Sequence, residues 1–214
     1  MTKLTLTYFD FDGGRGEPAR LALSIAGIEF EDRRVPADAW PGLKSQMPYG
    51  VLPVLEVDGR TLTQSNAINR YVGKLANLYP TDQWQAALCD EVMDALEDIG
   101  QQIVATFPIK DAAEKKAARE RLVAGPISLY LSRLHAQLEQ RGGEYFADGR
   151  LTIADLRVFV WIRHLRSGAL DHVPTDLAEH IGPSLVRQAE RLSAHPSISA
   201  YYARRRSALG KQAG

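Results

Sequence analysis

Residues 4–27 read LTLTYFDFDGGRGEPARLALSIAG, which predicts a strand, a glycine-rich turn and a helix in that order. Over residues 4–8 apolar residues alternate with threonine, the period of two that marks a half-buried strand. Three glycines interrupt the chain, and Pro18 stands where the first turn of a helix tolerates proline. Apolar residues at helical spacing continue up to Gly27, which ends the helix. The stretch is therefore the start of a βαβ unit.

The rest of the first third of the chain completes a small sheet. A second strand is predicted near residues 29–35. A hairpin follows over residues 54–63, because Asp58-Gly59 supplies the positive φ values that a tight turn needs. Ser65 is placed to cap the helix that comes next.

After residue 79 the pattern changes to helical periodicity without a convincing strand. Six apolar residues between Leu88 and Phe107 recur every three or four positions, which predicts one buried helix face. We therefore expect an α/β domain over residues 1–79 and an all-helical domain over residues 82–214.

Two local signals shape the helical part. Gly125-Pro126 predicts a kink within one helix. Thr152 and Asp155 form a capping box, in which the threonine oxygen accepts from the amide three residues on and the aspartate reaches back. The helix that this box begins is apolar almost all round over residues 156–165, so we expect it to run through the middle of the domain.

Composition excludes several classes of protein. The 214 residues are 45% hydrophobic and 24% charged, the balance of an ordinary globular protein rather than a disordered one. No apolar run reaches the roughly 18 residues of a membrane span. The single cysteine, Cys89, excludes an internal disulfide and a Cys-x-x-Cys motif. We expect a cytoplasmic protein without a membrane partner.

The charge of the chain does not indicate nucleic-acid binding. Lys plus Arg and Asp plus Glu each number 26, so the chain is formally neutral. The run Arg204-Arg205-Arg206 is most simply a solvated helix end, where cations favour the helix dipole. Weak nucleic-acid binding by this run is the alternative, and we expect no nucleic-acid partner.

The glycine-rich turn also fits a dinucleotide-binding pattern. Gly14-Arg-Gly16-Glu-Pro-Ala19 matches G-x-G-x-x-A between a strand and a helix, and Glu31 or Asp32 follows at a distance suited to a ribose contact. A dinucleotide domain needs repeated βαβ units, however, and the strand pattern ends with the hairpin. The strand count therefore disfavours nucleotide binding.

Several short motifs occur in one order along the chain. They are Tyr8-Phe9, Gly14 to Arg20, Ala39 to Lys44, Pro48 to Leu55, Gln64-Ser65, Met93 to Asp98 and Leu151 to Leu156. Together they resemble the cytosolic glutathione transferases, most of all the sigma class, which includes the glutathione-dependent prostaglandin D synthases. The resemblance covers essentially the whole chain. It implies a thioredoxin-like N-terminal domain with a mixed four-stranded sheet and a helical-bundle C-terminal domain.

The resemblance implies that Tyr8 is the catalytic residue. The chain has no suitably placed cysteine, so the nucleophile is the thiol of the co-substrate, reduced glutathione. A free thiol has a pKa of about 8.5, and a phenol O–H that donates to the sulfur favours the thiolate. A tyrosine that only packs its ring on the core is the alternative.

A set of glutathione contacts is also implied. Leu52, ahead of an expected cis Pro53, would pair its backbone with the cysteinyl part of glutathione. The helix start at Gln64 and Ser65 suits the γ-glutamyl carboxylate. The alternatives are an ordinary strand-entry proline and a plain helix cap. The implied set is Tyr8, Arg15, Trp40, Lys44, Gly50, Val51, Leu52, Pro53, Gln64 and Ser65, with Asp98 contributed by the neighbouring subunit of a homodimer.

Trp40 and Lys44 are four residues apart on a short helical segment. Their indole N–H and ammonium group suit the glycyl carboxylate of glutathione. A surface Trp–Lys pair is the alternative.

An acidic stripe lies on the helix before residue 104. Asp94, Glu97, Asp98 and Gln101 share the face opposite the apolar residues. A solvated face is the plain interpretation, whereas the resemblance implies a dimer cleft and a likeness to the divalent-metal site of prostaglandin D synthases. We expect no permanently bound cofactor or metal. Weak binding of Mg²⁺ or Ca²⁺ by Asp94, Glu97 and Asp98 stays an alternative.

By position in the family, four residues are candidates for the electrophile pocket: Phe11, Gly14, Arg157 and Trp161. Trp161 is equally a core residue, because its helix is apolar nearly all round. Arg15 would add positive potential beside the thiolate. The loop over residues 10–14 is one residue longer than the usual sigma spacing between the tyrosine and this arginine.

These inferences predict a homodimeric glutathione transferase that adds the glutathione thiolate to small hydrophobic electrophiles. A glutathione-dependent isomerase or peroxidase at the same site is one alternative. A non-catalytic relative that binds ligands or has a structural role is the other.

Overall fold

The computed structural model describes the backbone of residues 2–212 and the side chains of residues 2–208. The chain forms two compact units. One holds the described residues up to Tyr79 together with those from Arg191 onward, and the other holds Pro80–Glu190. The division into residues 1–79 and 82–214 that the sequence favours stays a prediction.

The first unit is built on a mixed sheet. Within the described residues its four strands are β1 (Leu4–Phe9), β2 (Glu31–Val35), β3 (Val54–Val57) and β4 (Arg60–Thr63), in the spatial order β2-β1-β3-β4. β1 pairs in parallel with β2 and antiparallel with β3, which in turn pairs antiparallel with β4. The predicted sheet of mixed direction, with its β3–β4 hairpin, is confirmed.

Helices account for most of the remaining chain. They are α1 (Glu17–Ile25), α2 (Trp40–Leu43), α3 (Ser65–Leu75), α4 (Gln83–Val104), α5 (Ala112–Leu122), α6 (Ser128–Gln140), α7 (Ile153–Arg166), α8 (Leu177–Ile181), α9 (Pro183–Ser193) and α10 (Pro196–Gln212). None of the helices in the described part of the chain is long and apolar enough to cross a membrane.

Three local predictions need correction or refinement. Ser65 does not cap α3 but is its first residue, because Gln64 adopts a left-handed φ of 70° and takes the cap position. The predicted kink at Pro126 is a π-helical turn over Val123–Ile127, since proline cannot donate to the regular helical ladder. The buried face of α4 ends at Ile103, because the helix stops at Val104 and the predicted Phe107 lies beyond it with half of its side chain exposed.

The prediction that Arg204-Arg205-Arg206 forms a solvated helix end is wrong. The run lies inside α10, which continues to Gln212, and is not a helix end. Arg205 is not solvated like a surface cation, because its side chain is only 13% exposed and pairs with Asp10 and Asp12. A local charge pattern could not reveal partners almost 200 residues away in the chain.

The central helix α7 is buried along nearly its whole length, as its apolar sequence predicts. The capping box at its start is present. Asp155 is completely buried and accepts hydrogen bonds from the backbone amides of Thr152 (2.7 Å) and Phe146 (3.0 Å) and from the side chain of Gln188 (2.9 Å). Burial outweighs these bonds and raises the pKa of Asp155 to about 6 from an ordinary 3.8.

Because the pKa of Asp155 is raised in the folded protein, this residue should make a pH-dependent contribution to stability. Asp155→Asn should remove that contribution. Between pH 3.8 and about 6 the folded protein keeps a proton on Asp155 that the unfolded chain releases, so this contribution to stability falls as the pH rises. We expect the free energy of unfolding of the wild type, relative to Asp155→Asn, to rise by about 2 kcal/mol from pH 7 to pH 4. Urea unfolding of both proteins across this range measures it, and parallel pH profiles would contradict it.

Candidate functional site

Tyr8 is a buried side chain next to the end of β1. Only 5% of it is exposed, and its ring packs with Val35, Leu52 and Val54. The backbone amide of Arg15 donates a hydrogen bond of 3.0 Å to the phenol oxygen. This bond uses a lone pair of the oxygen and not its hydrogen, so the hydroxyl is polarised as a donor. The glycine-rich turn thus orients the phenol directly.

Two glycines make room for this ring. A Cβ at Gly16 would lie 2.5 Å from Cγ of Tyr8, and a Cβ at Gly14 would lie 2.5 Å from its phenol oxygen. Gly14 also has a left-handed φ of 67°. The G-x-G pattern is therefore explained by close contact with tyrosine. Asp32, a candidate for a ribose contact, instead pairs with Arg20 and Arg34.

Phe11 lies beside the same hydroxyl. Its ring centroid is 5.6 Å from that of Tyr8, and it stacks on Phe9 at 6.4 Å. A Cβ at Gly14 would meet both the Tyr8 oxygen and the Phe11 ring, at 2.5 and 2.9 Å. The Phe11 side chain is 45% exposed. Of the four residues predicted for an electrophile pocket, the structure brings Phe11 and Gly14 together with Tyr8.

Arg20 is a part of this site that the sequence reasoning missed. The side chain is completely buried in α1 and pairs with Glu17 (3.2 Å) and Asp32 (2.8 Å). It also donates to the backbone oxygens of Phe9 and Phe11, both at 3.2 Å. Its guanidinium carbon lies 5.5 Å from the Tyr8 ring centroid. The signal available in the sequence was a charged residue at a position of α1 that faces the sheet.

Glu17 shares this buried environment. Its side chain is fully buried, and burial raises its pKa above the ordinary value while the charge of Arg20 opposes the shift. A buried carboxylate is tolerated where an opposite charge compensates its lost hydration. The pair therefore fixes the first turn of α1 next to Tyr8.

The predicted glutathione contacts on the segment before β3 lie close to one another. Trp40, at the start of α2, packs edge-to-face on Phe9 with ring centroids 5.4 Å apart. Lys44 is exposed, and its stem lies along Gly50, where an added Cβ would be 3.5 Å from Cε. Val51 is exposed, Leu52 is buried, and the bond between Leu52 and Pro53 is cis.

Gln64 and Ser65 stand at the start of α3. Gln64 is exposed in its left-handed conformation, and Ser65 is buried as the first residue of the helix. The first amides of an α-helix have no carbonyl partner within the helix, so such an end suits a carboxylate.

The acidic stripe of α4 belongs to the second unit and is organised by an arginine. Arg157 is buried and donates to Glu97 at 2.9 Å, while Gln101 donates to the other oxygen of Glu97 at 2.8 Å. Both carboxylate oxygens of Glu97 thus accept hydrogen bonds. Asp94 and Asp98 are exposed. Across the described residues, no three His, Cys, Asp or Glu side chains form a group that could hold a metal ion.

Trp161 lies on α7 with 8% of its side chain exposed. Its indole N–H has no hydrogen-bond partner within the described residues. The structure does not bring Arg157 and Trp161 together with Tyr8 in one compact unit. Their place in an electrophile pocket stays a prediction.

Comparisons with known proteins cover both units. A model of the glutathione S-transferase N-terminal domain matches residues 4–74, and one of the C-terminal domain matches residues 97–205. Glutathione S-transferase 1 of Ascaris suum is 32% identical over 96% of this chain and 98% of its own. The solved prostaglandin synthase D of Nilaparvata lugens has a TM-score of 0.84 and 32% identity, over 94% of this chain and 97% of its own. A sigma class glutathione transferase of Fasciola hepatica has a TM-score of 0.81 and 29% identity, over 95% and 97%.

The contact between Gly16 and Tyr8 is tested by Gly16→Ala. The backbone at Gly16 has an ordinary φ of −85°, so alanine is harmful here only through its clash with the tyrosine ring. We expect a loss of about 2 kcal/mol in the free energy of unfolding, measured in urea.

The matched control is Gly42→Ala, because no atom lies within 4 Å of the added Cβ there. We expect it to change the free energy of unfolding by about 0.5 kcal/mol or less. Equal effects of the two substitutions would show that Tyr8 is not packed against Gly16.

Proposed function

The chain belongs to the glutathione S-transferase family, and we propose that it joins the thiolate of reduced glutathione, held by Tyr8, to small hydrophobic electrophiles. The observation that carries the proposal is the Tyr8 phenol, whose oxygen accepts the amide of Arg15 beside two glycines that leave no room for a side chain. A tyrosine with only a packing role needs neither this hydrogen bond nor this clearance around its oxygen.

The proposed chemistry begins at the sulfur of glutathione. A thiol with a pKa of about 8.5 is mostly protonated at neutral pH. The Tyr8 O–H, polarised by the Arg15 amide, donates to the sulfur and favours the thiolate over the thiol. The thiolate then attacks an electrophilic carbon, a C–S bond forms, and the leaving group departs with its electron pair. The protein supplies position and a lowered thiol pKa.

The other predicted contacts fit the ends of the tripeptide. We propose that the backbone of Leu52 pairs with the cysteinyl unit, and that Gly50, Val51 and Pro53 shape the same edge. The start of α3, with Ser65 and Gln64, suits the γ-glutamyl carboxylate, since helix N-termini favour anions.

Trp40 and Lys44 suit the glycyl carboxylate, because one offers an indole N–H and the other a positive charge. Asp98 is proposed to contact the glutathione amine bound by the neighbouring subunit. Its exposure on α4 supports this role, because its carboxylate is accessible to an amine.

The electrophile is proposed to bind against Phe11 and Gly14. A half-exposed aromatic ring next to the Tyr8 hydroxyl offers an apolar surface at the place where the sulfur would react. Arg157 and Trp161 remain proposed contributors from α7. Both residues also have structural contacts, since Arg157 pairs with Glu97 and Trp161 is mostly buried.

We also propose a homodimer of the sigma class that works in the cytoplasm in detoxification. Tyr49 supports the dimer, because it is 80% exposed and held with a left-handed φ of 56° in the segment before β3. Val51 exposes a second apolar side chain two residues later. Exposed aromatic residues of this kind commonly become buried at an interface.

A second activity is favoured by one comparison. The prostaglandin synthase D of Nilaparvata lugens is 32% identical over almost the whole chain. The same thiolate could serve an isomerase or a peroxidase, since both begin with attack by sulfur. Product formation from chlorodinitrobenzene, cumene hydroperoxide and prostaglandin H2 separates transferase, peroxidase and isomerase. Rates equal to those of free glutathione with all three would favour a non-catalytic relative.

The central prediction is that Tyr8→Phe lowers kcat/KM by about 10²-fold at pH 6.5, because one preorganised donor to the sulfur is lost. The affinity for glutathione, measured by calorimetry, should stay within about threefold, since other residues hold the tripeptide. The thiolate absorbance of bound glutathione should appear at higher pH than in the wild type.

Tyr130→Phe is the control, because it also removes one phenol oxygen but at a residue of α6, in the other unit. It should leave kcat/KM unchanged. Full activity of Tyr8→Phe would overturn the proposed role of the phenol.

The dimer proposal is tested by Tyr49→Ala. Removing this exposed aromatic side chain should shift the protein toward monomer at micromolar concentration, by roughly tenfold or more in the dissociation constant. Analytical ultracentrifugation measures the shift. Leu75→Ala is the control, since Leu75 is also an exposed large hydrophobic residue, at 44%, but lies at the end of α3 in a groove beside β2. A wild-type monomer, or equal effects of both substitutions, would contradict the proposal.

A further inference from the structure

The loop between β1 and α1 carries two acidic residues on either side of Phe11. Asp10 and Asp12 are partly buried, at 34% and 26% exposure of their side chains. Gly13 and Gly14 follow with positive φ, which glycine adopts without strain, but fixing two such flexible residues in one conformation costs entropy. Two neighbouring carboxylates repel each other, and the loop needs nearby cations to keep one arrangement.

One of these cations comes from the far end of the chain. Arg205 of α10 donates to Asp10 through Nη2 and to Asp12 through Nε, the latter at 3.2 Å. Its guanidinium therefore contacts both carboxylates that flank Phe11. Partial burial of the three side chains leaves their attraction less screened than that of a surface pair.

The second cation, Arg34, comes from β2. Its Nη1 lies 3.2 Å from Asp12 and donates to the backbone oxygen of Phe11 at 3.4 Å. Its Nη2 donates to the hydroxyl of Tyr201 at 3.0 Å. Tyr201 and Arg205 are four residues apart on α10 and share one face of that helix. The acidic loop is thus held between β2 and α10 within the first unit.

We propose that Arg205 is a positioning residue for the electrophile: through Asp10 and Asp12 it fixes the Phe11 ring beside the Tyr8 hydroxyl. The proposal rests on the proposed function, because it assigns a consequence for substrate binding to that site. Arg205 itself touches no substrate. Its removal leaves Arg34 beside the loop, so the fold is retained while the Phe11 ring gains freedom. Holding a substrate-contacting group in place is a large part of what binding energy achieves in catalysis.

The test is a comparison of Arg205→Ala with Arg204→Ala. Arg204 is the adjacent arginine of α10 and donates to Ser24, away from the acidic loop. For Arg205→Ala we expect the KM for chlorodinitrobenzene to rise by about fivefold to tenfold, with the KM for glutathione within about twofold of wild type. A small non-aromatic electrophile, iodomethane, should show almost no change, because it has little contact with the ring.

Two further variants separate positioning from general damage. Arg205→Lys keeps the positive charge and should recover part of the lost affinity for chlorodinitrobenzene. Asp12→Asn removes the negative charge of the loop residue that pairs with Arg205 and keeps the shape of its side chain. It should also raise the KM for chlorodinitrobenzene. Combined with Arg205→Ala, its effect should be less than additive, because the two changes share the Arg205–Asp12 pair, whereas Asp12 also pairs with Arg34 and Arg205 with Asp10.

The outcomes distinguish this inference from the function on which it rests. Absence of glutathione binding and turnover in the wild type would overturn both. An active wild type in which Arg205→Ala matches Arg204→Ala, or in which the KM values for both electrophiles rise equally, would overturn the role of Arg205 alone. A selective rise for the aromatic electrophile, with partial rescue by lysine, would support it.

Discussion

The site depends on the close contact between the Tyr8 ring and the backbone of the glycine-rich turn. Because the ring occupies the space that side chains at positions 14 and 16 would need, the turn can approach until the amide of Arg15 reaches the phenol oxygen. A buried hydroxyl is costly without a partner. The turn supplies that partner and also sets the direction of the hydroxyl, so one contact both satisfies the buried oxygen and orients its O–H.

The buried charged residues of α1 stabilise the position of the glycine-rich turn. Arg20 binds the backbone oxygens of Phe9 and Phe11, which flank the start of the loop, and pairs with Glu17 and Asp32. An unpaired buried guanidinium would be strongly destabilising, whereas one with compensating carboxylates and carbonyls is tolerated and restricts its neighbours to one geometry. Charge that looks like an ordinary helix surface in the sequence is therefore part of the support of the site.

The sequence predicted most features that arise from neighbouring residues. The strand before Tyr8, the Asp58-Gly59 turn and the box formed by Thr152 and Asp155 each depend on a few consecutive positions, and the structure has all three. The prediction that the strand is half-buried is wrong, because Thr5 and Thr7 are buried as well as the apolar residues between them. The family resemblance is confirmed by matches in both parts of the chain. The cap at Gln64 was missed, because a left-handed glutamine is disfavoured locally and is fixed only by its surroundings.

The contacts that could not be predicted join distant parts of the chain. Asp12 and Arg205 are separated by 193 positions, and no local periodicity reports such a pair. They meet because α10 packs with α1 in the same compact unit as the sheet, although α10 is encoded after the whole second unit. The longer loop before Arg15 fits this picture, since its acidic residues pair with Arg34 of β2 and gain a second cation, Arg205, only when α10 is in place. The C-terminal helix is thus a structural component of the N-terminal site.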